Sequence, residues 1–211
     1  MATLEDYLIE WSRWLAGQRS YEDAPSDWTG NVHVNLNQGR GVWFLAGTWG
    51  VEQNGPRTIT VPTGTNLFIV AAFACATDKE LMNRKRHPRA DPSHPLPSNI
   101  PSPGLAHLQN RARAIDALFT EVHLEIDDIK SDSLLKTVET PMFTVDIEPS
   151  NGLATYYGYP GFQSMVSKAR VALIEYVASA HKIKINAHGG SDDDTGELEY
   201  NLEVTYNVVV S

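Results

Sequence analysis

The longest apolar run in the chain is Leu67-Phe68-Ile69-Val70-Ala71-Ala72-Phe73-Ala74-Cys75-Ala76. Ten residues are about half of what a membrane-spanning helix needs. The content of Val, Ile and two Phe favours a strand over a buried helix turn. Apolar side chains pointing both ways leave neither face for water, so the run predicts a strand covered on both sides.

The segments around it alternate instead. Asn31 to Asn37 reads polar–apolar throughout, as does Val122 to Ile126, as does Phe143 to Ile147. In the last segment Leu198, Tyr200, Leu202, Val204, Tyr206, Val208 and Val210 alternate with polar residues. A period of two with one polar set is the mark of a strand with one wet face. Val42 to Ala46 and Arg57 to Pro62 add short strands, and residues 168–177 and 182–188 predict a hairpin about Ala178-Ser179-Ala180-His181.

Two stretches are helical. Leu4, Leu8, Trp11 and Leu15 form a stripe at spacings of three and four, with Thr3 and Asp6 placed as a capping box and Gly17 at the end. Leu105, Leu108, Ala112, Ile115 and Phe119 form a second stripe after Ser102-Pro103, an N-cap followed by Pro. Between the long strand and this second helix lies a segment rich in Pro, residues 84–103, which predicts a long irregular loop. The sum is a mainly β chain: one antiparallel β-sandwich or jelly-roll domain over residues 1–211, with an N-terminal helix and an inserted helix at 103–120.

Charge narrows the partners. With 17 Lys and Arg against 26 Asp and Glu the net charge is −9, the wrong balance for neutralising phosphates, so no nucleic-acid partner is expected. No membrane partner is expected either. The first residues, Met1 to Asp6, show neither a basic nor an apolar leader region. The single cysteine, Cys75, sits in the apolar run, where a buried inert thiol is the natural reading. These features predict an acidic cytoplasmic protein.

Several segments occur together in a familiar order: Trp11-Ser12-Arg13-Trp14, Gly41-Val42-Trp43-Phe44-Leu45-Ala46-Gly47, Val61-Pro62-Thr63-Gly64-Thr65-Asn66-Leu67-Phe68, His181-Lys182-Ile183-Lys184-Ile185 and Val204-Thr205-Tyr206-Asn207-Val208. Together they resemble a scattered family of uncharacterised bacterial β-sandwich proteins, many of them exported. The resemblance implies a fold rather than a chemistry and carries no catalytic residues with it. Exported members often hold cysteines where this chain has Val34-Asn35-Leu36 and Thr58-Ile59-Thr60, and that departure agrees with an intracellular role.

No nucleophile elbow, phosphate-binding glycine loop or His-rich metal pattern is present in the sequence, so neither a cofactor nor a metal is expected. Ser133-Leu134-Leu135-Lys136 matches Ser-x-x-Lys but lacks the companion motifs. Asp192-Asp193-Asp194 offers hard oxygens without the alternating spacing of a calcium loop, and reads as a charged turn. His33, Asp78 and Glu80 are the candidate proton-transfer groups. Asp78 and Glu80 have a second reading as first-turn acids of a helix capped by Thr77. Trp28, Asn35, Arg40, Trp43, Trp49 and Tyr157 are candidate ligand contacts, the last within the aromatic loop Tyr156 to Phe162.

The resulting expectation is a cofactor-independent small-molecule-binding protein or enzyme, its pocket at one end of the sandwich under the Pro-rich loop. A carbohydrate- or surface-binding module is the first alternative. A self-assembling protein, a homo-oligomer pairing through its C-terminal strand, is the second.

Overall fold

The computed structural model describes residues 2–17, 38, 41–47, 56–84, 103–151, 153–154, 159–190 and 200–211. Helix α1 is Leu4–Ala16; strands β1, β2 and β3 are Val42–Leu45, Arg57–Val61 and Thr65–Thr77; helices α2 and α3 are Asp78–Arg84 and Leu105–Asp116. The second half holds β4 (Phe119–Ile126), β5 (Ile129–Lys130), β6 (Lys136–Glu139), β7 (Phe143–Ile147), β8 (Gly161–Val177), β9 (His181–Gly189) and β10 (Tyr200–Val210).

The strands form two sheets, a β-sandwich. Sheet one runs β1-β3-β8-β6, with β7 also paired to β8, and sheet two runs β2-β10-β9-β4-β5. Most pairs are antiparallel, but β1 lies parallel to β3 and β2 parallel to β10. The mainly antiparallel sandwich is as expected, with one parallel pair at an edge of each sheet.

The long apolar run forms most of β3, buried along nearly its whole length. One of its faces, with Phe68 and Val70, packs with Leu8, Trp11, Trp14 and Leu15 of α1; the other, with Leu67 and Ile69, packs against Ile183, Ile185, Val204 and Tyr206 of sheet two. Val70 pairs with Val171 and Ala72 with Arg170, so Ala71 is an inserted bulge residue. The bulge places Ala71 and Ala72 successively in the inter-sheet core, then returns Phe73 to the α1 side. Sheet one is thus the middle layer, with α1 outside it and sheet two opposite.

Helix α1 starts as its sequence predicts. The Thr3 hydroxyl accepts from the Asp6 N–H at 3.2 Å, and the Asp6 carboxylate accepts from the Thr3 N–H at 2.9 Å. That contact and the partner hydroxyl hold the Asp6 carboxyl below its ordinary value. On the buried side, Trp11 Nε1 donates to Leu45 O at 3.0 Å, which ties the helix to β1.

Other boundaries differ from expectation. Helix α3 begins at Leu105 with Gly104 as N-cap and ends at Asp116, so Phe119 belongs to β4 rather than to the helical stripe. Strands β8 and β9 occur where the hairpin was expected, but β8 lies in sheet one and β9 in sheet two. Ala178 to Ala180 is therefore an arch between layers. At the edge of β1 that pairs with no described strand, the Gln38 side chain donates to Phe44 O at 3.1 Å and accepts from Phe44 N–H at 2.8 Å. It occupies backbone groups that would otherwise invite another strand.

Helix α3 covers the sheet-two side of β3 and β8 beyond the sandwich, where Leu108 and Ala112 meet Ala76, Val166 and Leu81. Ionic contacts fix its position. Asp116, 5% exposed, pairs with Lys168 at 3.1 Å and with Arg170. Arg113 forks onto Glu139 with two 2.7 Å bonds, which raise its already high pKa.

Candidate functional site

Thr77 ends β3 and its hydroxyl accepts from the Glu80 N–H at 3.1 Å, so the first turn of α2 grows directly out of the buried strand. Asp78 Oδ1 accepts from Lys79 N–H at 2.9 Å and from Ser164 N–H at 3.1 Å. Lys79 Nζ donates to Pro160 O at 2.8 Å. Both side chains thereby bind α2 to the start of β8. Glu80 is fully buried, with Arg111 Nε of α3 3.3 Å from its Oε1. The two helices that flank the Pro-rich segment thus meet at one end of sheet one, held by this ion pair and by Leu81 against Leu108 and Ala112.

Beside the start of α2 lies a groove of about 720 Å³. Pro160, Gly161 and Phe162 form one wall, β7 and the Glu148-Pro149 turn form another, and Arg13 of α1 with Gly17 just after the helix closes it. Phe162 is 73% exposed, an unusual setting for a large aromatic. Asp146 and Glu148 bring two acids to the lining against one base, Arg13, which donates to Thr144 O at 3.2 Å and lies over the Phe143 ring. The groove can therefore offer an aromatic face and a net negative charge to a ligand. It abuts α2 through the Lys79–Pro160 bond.

Of the candidate residues from the sequence, the structure brings Asp78 and Glu80 together at the α2 start. Trp43 is elsewhere. It pairs in register with Leu67, eleven residues back along β3 from Asp78, a separation of roughly 35 Å at strand rise. Trp43 packs partly buried against the inter-sheet core, and its buried Nε1 has no acceptor among the described residues. One pocket cannot hold Trp43 with the two acids. His33, Trp28, Asn35, Arg40, Trp49 and Tyr157 lie outside the described residues, as do Asp192 to Asp194. Ser133 and Lys136 of the Ser-x-x-Lys match are exposed side chains.

Sequence reading missed four residues. Arg111 is one; only its polar position on the α3 stripe could have marked it. Asp146 and Glu148, on the groove, are wet-face positions like any others until β7 is placed beside β8. Arg57, outside the groove's lining, is the fourth: it is 2% exposed, and its guanidinium donates to Ala46 O at 3.1 Å and to the Tyr206 hydroxyl at 2.8 Å. In sequence it opens an ordinary short strand.

Among the described residues, no group of three or more His, Cys, Asp or Glu is placed to hold a metal ion, and no helix is long and apolar enough to cross a membrane. Compared with known proteins, the chain matches no family model, no curated protein and no solved structure.

Proposed function

We propose that the protein binds a small molecule, and acts on it without a cofactor, at the end of the sandwich where β3 and β8 meet α2, under the Pro-rich segment 84–103. One observation carries this reading: the groove abuts α2, and α2 leads straight into that segment, whose far end returns on α3 to the same junction. Asp78 and Glu80 stand at the junction, outside the groove's lining, and are the acid–base candidates; Asp78, at the start of α2 and part-buried, is the nearer of the two to Pro160. The lining favours a ligand with an apolar ring and a positive charge. The surplus of acidic groups and the single buried cysteine support a cytoplasmic setting.

A thermal-shift screen of small aromatic amines tests the reading. A ligand at a hundred times its Kd stabilises the native state by about 2.7 kcal/mol, roughly 5–10 °C for a domain of this size. The shift should disappear in Phe162→Ser and shrink in Asp146→Asn. A screen without hits, or shifts that ignore both substitutions, removes the groove from consideration.

The exposed Phe162 also supports the carbohydrate-binding alternative, since a lone exposed ring can stack on a sugar. Self-assembly through the C-terminal strand has less support, because β10 has β2 on one side and β9 on the other over residues 206–208. Before residue 206, β10 pairs with β9 alone among the described strands, so that stretch is where pairing between copies through β10 would fall.

A further inference from the structure

At the opposite end of β8 from the groove, three side chains from two distant segments form a chain of contacts. His181 opens β9, and its Nδ1 lies 2.8 Å from Asp127 Oδ2. Its Nε2 lies 3.4 Å from Ser179 Oγ, on the arch between sheets. Asp127 is itself held in place. Its Oδ1 accepts from Lys182 N–H at 2.8 Å, and its own N–H donates to Lys182 O at 2.8 Å. The turn is tight enough to put Asp127 and Asp128 at φ of 54° and 63°, a region Asp tolerates better than most residues.

The geometry points to a second, independent site: a Ser179–His181–Asp127 hydrolytic triad that accepts the acyl group of small esters at the arch end of the sandwich. The order of contacts is the one nucleophilic catalysis requires, with hydroxyl on one ring nitrogen and carboxylate on the other. With Nδ1–H given to Asp127, Nε2 is left as the acceptor for the serine proton. The Ser–His distance is long for a hydrogen bond, as it often is before substrate binds. Two more features fit. The N–H groups of Ser179 and Ala180 make no hydrogen bond among the described residues, so they are open to an oxyanion. Tyr176 and Ile129, 69% and 68% exposed, lie within three residues of Ser179 and Asp127 in the sequence, so apolar side chains are exposed on both segments that form the triad.

The step balances without any further reactant than water. Ser179 Oγ attacks the ester carbonyl as its proton passes to His181 Nε2. The C–O bond to the alcohol breaks, and that proton leaves with the alkoxide. Water then repeats the sequence on the acyl-serine, releasing the acid and returning the proton to Ser179. Asp127 stabilises the imidazolium that forms twice in the cycle and is not itself protonated.

The test uses the full chain with a fluorophosphonate probe, peptide mapping of the label, and turnover of p-nitrophenyl butyrate. The label should appear on Ser179 well ahead of the exposed Ser133, and Ser179→Ala should abolish both label and turnover. His181→Gln should slow labelling of Ser179 by about a hundredfold, the lower end of what a general base contributes. Asp127→Asn, compatible with the turn backbone, should slow it as well while the protein still unfolds cooperatively. Labelling of Ser179 no faster than Ser133, or a rate that His181→Gln changes less than about threefold against the hundredfold expected of a general base, overturns the assignment. Both outcomes are independent of whether the groove binds a ligand.

Discussion

Replacing Glu80 with glutamine changes one atom and removes one charge, and the structure gives the sign of the result. The Glu80 side chain is fully buried, and Arg111, whose side chain is 15% exposed, reaches it with Nε at 3.3 Å. At an effective dielectric constant near 20, two unit charges about 4 Å apart attract by roughly 4 kcal/mol. Burial costs the pair a comparable amount, so the intact pair adds little net stability. Breaking it is a different matter. The substituted amide would still offer an oxygen to Arg111, but the guanidinium would lose the Glu80 charge in a largely buried place. Full loss of one partner costs about 3–5 kcal/mol. Keeping the acceptor brings the expected loss to about 2 kcal/mol, the range of a hydrogen bond to a charged group.

The assay is urea unfolding of the wild type, Glu80→Gln, Arg111→Met and the double variant, with the m-value checked for constancy. Glu80→Gln should lower Tm by about 4–8 °C. The double variant should recover much of the loss, because a well-packed neutral pair avoids the desolvation cost. A coupling below about 0.5 kcal/mol would refute the claim that this pair joins α2 to α3. A stabilising Glu80→Gln would refute the structural account in another way. It would mean that the carboxylate is kept at the cost of stability, as a group engaged in proton transfer would be.

Two further predictions rest on local geometry. Burial alone would raise the Asp132 carboxyl, but the Leu124 N–H at 2.8 Å, His123 at 2.9 Å and Lys130 at 3.1 Å outweigh it and bring it to about 2. A lowered folded pKa stabilises above the ordinary Asp value and ceases to do so as pH falls through it, so this contribution should fade between pH 4 and 2. Screening at a part-exposed site limits it to about 1 kcal/mol, which Asp132→Asn should lose at pH 7 and not at pH 2; an Asp132 carboxyl titrating near 3.8 by NMR contradicts the account. Gly189 on β9 stands against backbone: an added Cβ would meet Leu118 O at 2.7 Å and Leu118 C at 3.2 Å. Neither atom can rotate away, and the Gly190 N–H already donates to Leu118 O, so Gly189→Ala should cost about 1–3 kcal/mol in urea unfolding; a change under about 0.5 kcal/mol shows that the Leu118 turn yields freely.

The candidate site was only partly legible for a physical reason. The α2 start was readable because everything it needs is local: an apolar run, a threonine, then acids within three residues. The Thr77–Glu80 bond bears out the helix-start geometry. Arg111 and Ser164 were not readable, since each reaches the junction from another element and neither carries a local signal. The same limit hides Asp127 from His181, which lie 54 residues apart in sequence. It hides the parallel pairs at the sheet edges too, because a strand's own residues do not name its neighbour's direction.

The arch between β8 and β9 shows where more could have been read. A link of three residues suits a tight hairpin, so length argued for pairing the two strands. Their patterns argued otherwise. In β8, Val166 and Ala172 face one way while Met165, Ala169 and Val171 face the other, and all five are buried. In β9, Ile183, Ile185 and Ala187 are buried, while Lys182, Lys184, Asn186 and His188 alternate with them. A strand with two dry faces belongs in a middle layer, and a strand with one belongs in an outer layer. The first condition matches β3, which pairs with β8 in sheet one; the second matches β10, which pairs with β9 in sheet two. Adjacent strands of unlike facial character are therefore better divided between layers than paired. It is this division that leaves Ser179 on an exposed arch at the sandwich end, with the β4–β5 turn of the outer sheet alongside it, so that Asp127 can reach His181.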